Sequence, residues 1–324
     1  MIIDSPYFTI LIPAFKIKFF DEAIRSVLAQ QDQDFELILL NDASPENIKG
    51  VVEKYNDFRI RYYENNKNVG AIRIVENWNK LLSYAKGEFV ICMGDDDCLK
   101  KNCLSEYREL ISKYPDLDIY HGWTEIIDED SKVWKMQEPR PLRESVYTMM
   151  WHRWTGRFNQ YIGDFLYRTD VLRKNGGFFN IPLAWASDDI TSYIAAGYKG
   201  IANTQIPVFQ YRQNKYSITS VGRAAEKIEA ISLEKSWYND FLLRKPINET
   251  DVIYYGLLKR DMPDFISQKV NYTIDNEVKG KIKNHFFEAL NSWFFWFKEN
   301  KKIGRSKLSM FKLLFNALKF KLFK

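Results

Sequence analysis

Between Tyr7 and Met93 the chain alternates short runs of β-forming apolar residues with stretches of helical periodicity, and this alternation restricts the fold more than any other feature. YFTILIP (7–13) is rich in β-branched and aromatic residues and reads as a buried strand closing at its proline. DEAIRSVLAQQ (21–31) sets Ala23, Ile24, Val27 and Leu28 on one helical face. FELILLND (35–42) is a second strand, after which Ser44-Pro45-Glu46 predicts a helix start with serine as cap and proline in the first turn. RIRYYEN (59–65), AIRIVENWNKLLSYA (71–85) and EFVICM (88–93) continue as strand, helix and strand. This order predicts βαβ units and a largely parallel sheet. In such sheets ligands bind beyond the carboxyl ends of the strands, where Pro13 to Phe15, Asn41-Asp42 and Asp95 to Asp97 all fall.

The fourth strand runs into Gly94 and then three consecutive carboxylates, Asp95, Asp96 and Asp97. Adjacent anions repel one another, so they need either free solvation or a cation. Their oxygens suit Mg²⁺ or Mn²⁺, and on this ground alone a solvated acidic turn and a metal site both stay open. Further on, LSEYRELISKY is a helix stopping at Pro115, LDIYHGWTEIID a strand with a turn at Asp128 to Ser131, and 134–160 reads as irregular and aromatic. GDFLYRTDVLRKNGGF (163–178) predicts strand, short helix and a double-glycine stop. ASDDITSYIAAGYKG (186–200) predicts a short helix headed by two aspartates, IPVFQYRQ (206–213) a strand, and roughly 222–244 a long helix.

At 324 residues and 46% hydrophobic, the chain can bury a large core. Three cysteines clustered at 92, 98 and 103 suggest reduced thiols rather than a disulfide framework, and the three scattered histidines show no zinc spacing. The N-terminus lacks the pattern of a secretory signal, and no apolar run approaches the roughly 18 to 20 residues of a membrane span. A cytoplasmic location is the expectation. From Lys279 onward there are twelve Lys or Arg against two Glu, so a mildly acidic body carries a strongly basic tail.

Taken in order, FTILIPAF, DEAIRSVLAQQDQDFELILLNDAS, NNKNVGAIRIVENWNKLLSYAKGEFVICMGDDD and GGFFNIPLAWASDDITSYIAAGYKG resemble family 2 glycosyltransferases, inverting enzymes with a GT-A fold, from Tyr7 to Ser220. The resemblance implies an α/β architecture: a Rossmann-like, mixed and mainly parallel sheet flanked by helices, here with a C-terminal helical extension. It implies that Pro13, Ala14, Phe15 and Asp42 hold the nucleotide base, usually uracil, and that Asn68, Gly70 and Asn77 lie against the nucleotide. Asp95 and Asp97 match the outer members of the acidic motif, which bind the ribose and the metal, Mn²⁺ or Mg²⁺, on the diphosphate. Asp189 matches the general base, with Asp188 as the alternative. Many relatives have Asp in place of Gly94, which leaves the motif's register open and gives Asp96 a share in the role. Where relatives carry a histidine near the diphosphate, this chain offers Arg212, Asn214 and Lys215, of which a cationic side chain can neutralise phosphate. Trp185, Trp151 and Trp154 are candidates for stacking on an acceptor sugar, with Trp185 the leading one.

The expected function is therefore transfer from a nucleotide-sugar, a UDP-sugar in first place, to a hydroxyl of a glycan or lipid-linked oligosaccharide in surface polysaccharide synthesis. A sugar nucleotidyltransferase and a non-catalytic membrane scaffold with a vestigial nucleotide site are the alternatives. The expected organisation is a catalytic domain over 1–220, a helical extension over 221–278 and a basic amphipathic tail over 279–324. Read as one helix, the tail sets Arg305, Ser309, Lys312, Asn316 and Lys319 as a polar stripe beside a broad apolar face. That pattern fits the cytoplasmic surface of an anionic membrane, where each lysine contributes about 1 kcal/mol, or else docking on the protein's own body. An acidic body without a recognition motif argues against nucleic acid; a homo-oligomer is left open.

Overall fold

The computed structural model describes residues 5–214, 223–246 and 248–322. Strand β1 (Phe8–Ala14) is buried except at Pro13 and runs through that proline. It pairs in parallel with β2 (Phe35–Asn41) along its whole length, whereas its pairing with β4 (Phe89–Cys92) stops at Leu11. Pro13 therefore has a strand partner on one side only, where a missing N–H is tolerated. β3 (Ile60–Glu64) extends the parallel group beyond β2. On the other side the direction reverses at β9 (Phe165–Arg168) and returns at β6 (Ile119–Ile127) and β10 (Ile201–Arg212). Short antiparallel strands β5 (Cys98–Leu99), β7 (Val133–Met136) and β8 (Arg143–Glu144) complete a ten-stranded sheet.

The period-two alternation of β1 and β2 decides which helix meets which face. Phe8, Ile10, Ile12, Leu37 and Leu39 pack against α1 (Phe20–Leu28), α2 (Ile48–Val52) and α4 (Cys103–Lys113) through Ile24, Val27, Val51 and Leu104. Leu11, Ile38, Leu40 and Val90 point the other way, toward Val75, Trp78 and Leu81 of α3 (Ile74–Tyr84) and Met149 and Met150 of α5 (Val146–Trp154). Each fully buried Leu or Ile contributes about 2 kcal/mol of transfer free energy. The expected α/β sheet with parallel β1 to β4 is thus present. Cys92, Cys98 and Cys103 are buried free thiols.

Two elements differ from the sequence reading. α2 starts at Ile48, capped by Asn47, whose side chain accepts from the Gly50 amide at 3.0 Å; Ser44 instead donates to the Phe15 carbonyl at 2.6 Å. The segment expected to be irregular contains α5, capped by Ser145, which accepts from the Thr148 amide. Its aromatic residues are interface rather than loop. Tyr147 meets Phe241, and Trp154 stacks on Phe265 at 4.7 Å.

After α6 (Thr169–Lys174), α7 (Ser187–Ala196) and β10, the described C-terminal region is helical. α8 (Ala224–Phe241) occupies the expected long helix, and α9 (Glu249–Asn284) follows with Ile266, Val270, Ile274, Val278 and Ile282 buried at steps of four. The expected boundary at 278/279 falls inside this continuous helix, because the buried stripe does not break there. The boundary at 220/221 and Lys215 lie outside the described residues. The tail is two helices, α10 (Phe286–Lys298) and α11 (Lys307–Leu322), rather than one. Arg305 leaves the expected polar stripe and turns inward, donating to Asp275 at 2.7 Å. Among the described residues no helix is long and apolar enough to cross a membrane.

Candidate active site

At the carboxyl edge of β1, β2 and β4 the predicted loops do converge. The backbone amides of Phe15 and Lys16 both donate to Asp95 Oδ2, at 2.7 and 2.8 Å, which ties the loop after β1 to the acidic loop after β4. The Phe15 ring stands 41% exposed at this edge. Asp42, 4% exposed, accepts from Asn65 Nδ2 at 2.7 Å and from the Val69 amide, while Asn68 Nδ2 donates to the Asp42 carbonyl at 2.9 Å. Gly70 has φ +77°, which suits glycine and lets the loop turn into the helix carrying Asn77. Asn77 accepts from Asn65 at 2.8 Å, and its own amide nitrogen is buried without a protein partner.

Asn65 is thus the hub of this half of the site, with Lys80 Nζ 2.6 Å from its Oδ1. Sequence reasoning did not single it out. Its position as the first residue after β3 was the available signal, since that edge already held every other candidate.

The acidic loop is shaped by backbone contacts. A Cβ on Gly94 would stand 2.8 Å from Asp96 Oδ1 and 3.0 Å from Asp97 Oδ2, so the glycine makes room for both carboxylates. Asp97 is 3% exposed, and its Oδ1 accepts the Arg212 amide at 2.9 Å. Burial first, and then the charge of Asp96, hold the Asp97 carboxyl well above the usual range. The same two causes raise Asp95 to about 6. Carboxylates held in that state gain from a cation. Among the described residues no three His, Cys, Asp or Glu side chains form a complete cage. Mg²⁺ and Mn²⁺ commonly take one or two protein carboxylates and fill the shell with water and phosphate oxygens, so the donor set of Asp95 and Asp97 fits such an ion.

Arg212 does not fit its expected role. Its side chain is fully buried, and all of its N–H groups are directed at protein atoms. Nε donates to the Asp96 carbonyl at 2.7 Å, Nη1 to the Asp128 carbonyl and Ser131 Oγ, and Nη2 to Glu22 Oε2 at 2.8 Å and weakly to Cys98 Sγ. A guanidinium so committed holds the acidic loop and is not presented to a phosphate. Asn214 likewise binds Asp96 Oδ2, at 2.6 Å.

The two aspartates at the head of α7 are not equivalent. Asp189 is 1% exposed and accepts from Arg153 Nε at 2.9 Å. Asp188 is half-buried, and burial followed by the Asp189 charge raises its carboxyl to about 8. Tyr161 and Tyr211, stacked with ring centroids 3.9 Å apart, both feel the charges of Asp97 and Asp188, which places the acidic loop and the head of α7 around one site. Neither tyrosine was anticipated. Trp185 is half-buried beneath Lys227, 4.7 Å from the ring, and its indole N–H has no protein partner. Trp154, by contrast, is taken up by core packing.

Beneath the tyrosine pair, Asp164 is fully buried, accepting from Thr124 Oγ1 at 3.0 Å and lying 3.4 Å from His121 Nε2. Burial raises Asp164 to about 8 and lowers His121 well below its ordinary value. The native state then holds a proton that the unfolded carboxylate releases near pH 4, so this group's stabilising contribution is complete at low pH and declines as pH rises to about 8. Asp164→Asn is expected to flatten the fall in unfolding free energy between those limits. An unchanged slope in urea titrations across that window overturns the assignment.

A mixed, mainly parallel sheet with acidic loops at one edge, a second carboxylate pair facing them and a helical C-terminal region defines an α/β protein of the GT-A type. The chain belongs to glycosyl transferase family 2, whose family model matches residues 9–178. One curated relative is an Escherichia coli K12 glycosyl transferase, WcaA, named for colanic acid biosynthesis, 36% identical over 87 residues and covering 26% of this chain and 30% of that protein. The chain spans about two fifths of the length of other curated relatives that it matches. Among solved structures, Staphylococcus aureus TarS 1-349 in complex with UDP-GlcNAc superposes with a TM-score of 0.61 at 15% identity, over 92% of both chains. Mannosyltransferase PcManGT from Pyrobaculum calidifontis, in complex with GDP-Man and Mn²⁺, gives 0.54 at 14% identity over 98% of this chain and 87% of its own. These likenesses agree with the GT-A fold.

Proposed function

We propose that the protein transfers a sugar from a nucleotide-activated donor, a UDP-sugar in first place, to a hydroxyl of a glycan or lipid-linked oligosaccharide in surface polysaccharide synthesis, inverting the anomeric carbon. The observation that carries this reading is the convergence of the Phe15 loop with the Asp95 to Asp97 loop, tied through Asp95, and with Asp42, whose amide donates to the Ala14 carbonyl at 2.9 Å. The nucleotide sugars bound to TarS and PcManGT support the donor class, and the name of WcaA supports the pathway class. Pro13, Ala14, Phe15 and Asp42 are the groups for the base, Asn68, Gly70 and Asn77 lie against the nucleotide, Asp95 serves the ribose, and Asp97 with Asp95 a divalent ion. Such an ion, when bound, supplies charge neutralisation on the leaving diphosphate.

An aspartate at the head of α7 takes the proton of the acceptor hydroxyl as the new bond to the sugar forms and the bond to the diphosphate breaks. The sequence pattern favours Asp189. Asp188 is the second reading, favoured by its greater exposure and by Arg153 occupying Asp189. With Mn²⁺ and a panel of UDP-sugars and GDP-sugars, Asp189→Asn is expected to abolish transfer while nucleotide affinity is retained. Loss confined to Asp188→Asn moves the base by one residue. Wild-type protein that binds no nucleotide from either panel sinks the function itself. The proposed workplace is the inner face of the cell membrane, reached through residues 284–324.

A further inference from the structure

We propose that α10 and α11 together present a face that docks on an anionic lipid surface, with the side chains of Phe287, Phe294, Phe295, Leu308, Phe311 and Phe315 entering the headgroup layer. This deepens the membrane placement above by assigning it to one side of a helical hairpin. The inward side is already occupied. Met310, Leu313 and Ala317 of α11 and Ala289, Trp293 and Trp296 of α10 are buried, and Trp293 Nε1 donates to the Met310 carbonyl at 2.7 Å. Docking on the protein's own body therefore accounts for these six residues and leaves the six outer ones outside.

That outer group is concentrated. Five of the seven strongly exposed phenylalanines among the described residues lie in these two helices, at 78% for Phe287, 51% for Phe294, 53% for Phe295, 53% for Phe311 and 57% for Phe315. The two helices are joined through Phe311, whose ring lies 5.6 Å from Trp293 and 5.2 Å from Phe297. Large rings left in water on adjacent helices mark a contact surface rather than scattered exposure.

Charge decides the occupant. Lys298 lies over Phe294 at 4.3 Å and Lys319 over Phe315 at 4.6 Å, so each of these cations sits beside an exposed ring that can enter lipid while the ammonium stays with the phosphates; Lys307 lies over the half-buried Phe297 at 5.7 Å. Lys301 and Lys312 are exposed as well, and no acidic residue follows Glu299, which is itself paired with Lys302 at 2.6 Å. A second copy is a poor occupant, because a two-fold contact sets a patch against itself and would bring these lysines together. An anionic bilayer offers an apolar layer beneath a negative one, matching both components.

The test is co-sedimentation of the full chain with vesicles of phosphatidylcholine alone and of equimolar phosphatidylcholine and phosphatidylglycerol, with light scattering on the free protein. Binding is expected only with phosphatidylglycerol, and high salt should release it. Lys312→Glu with Lys319→Glu should weaken it roughly tenfold or more. Phe287→Ser with Phe295→Ser and Phe315→Ser should abolish it, with thermal unfolding and metal-dependent UDP binding as in wild type. Unchanged vesicle binding in both variants overturns the proposal. So does a stable dimer that the phenylalanine variant dissociates while the wild type ignores lipid. Because UDP binding is read separately, failure of the lipid face and failure of the transferase reading are distinguishable.

Discussion

Asp97→Asn is expected to remove metal-dependent nucleotide binding while leaving the free protein at least as stable as wild type. The two effects have separate causes. The isosteric amide keeps an oxygen to accept the Arg212 N–H, so the Arg212 amide retains its partner. It also removes a buried charge whose ionisation burial and Asp96 oppose, which relieves rather than costs the apo state. The same change deletes an ion ligand. Outer-sphere changes at metal sites typically cost about 10- to 100-fold in affinity, so loss of a direct carboxylate should reach at least the upper end, roughly 100-fold. Calorimetric titration of UDP with and without Mn²⁺, beside thermal unfolding of the same samples, reads both effects. Metal-dependent UDP affinity surviving in the variant would sink the metal assignment. A large loss of thermal stability would instead make Asp97 a structural residue.

Arg212→Met should have the opposite signature: a large loss of stability, about 3 kcal/mol, preceding any specific effect on nucleotide. Removing one member of a buried ion pair commonly costs about 3 to 5 kcal/mol, and the partly exposed Glu22 places this pair at the lower end. The Asp96 and Asp128 carbonyls lose their donor in the same step. Arg212→Lys retains the charge but concentrates its donors on one nitrogen, so it cannot reach Glu22, Asp96 and Asp128 together and should recover only part of the loss. Urea unfolding at constant m measures this directly. A stable Arg212→Met protein with weakened diphosphate affinity would restore the phosphate-binding role that the geometry opposes.

The sequence was a good guide wherever one periodicity dominated. β1, β2 and β4 read as strands because each is a short run dominated by apolar, β-forming residues, and the carboxyl-edge rule then pointed to Phe15, Asp42 and Asp95 to Asp97 before any contact was known. α5 escaped because its face is aromatic and meets α8 and α9 more than a hundred residues away in places, a partner no local window contains. The helical extension was expected, but its end was set at 278, short of where α9 stops, because its buried residues recur at steps of four inside a largely polar helix that contains Pro263. Arg212 was misread for a related reason. A cation near an expected diphosphate has an obvious use in sequence, and only the fold reveals that Glu22, Asp96, Asp128 and Ser131 claim its N–H groups first.

By itself the sequence determined the architecture and the chemical inventory: alternation of period and propensity set the sheet, and the spacing of acids after strands set where the carboxylates emerge. Tertiary structure decided how each polar group is used. It made Asn65 a hub, stacked Tyr161 on Tyr211 within reach of the charges of Asp97 and Asp188, sealed Asp189 against Arg153, and divided the tail into one buried and one exposed aromatic face. Secondary structure follows from local sterics and hydrophobic patterning, which are written along the chain. The partner of a donor or a charge depends on which distant segments reach it, and burial makes that choice by penalising every group left without one.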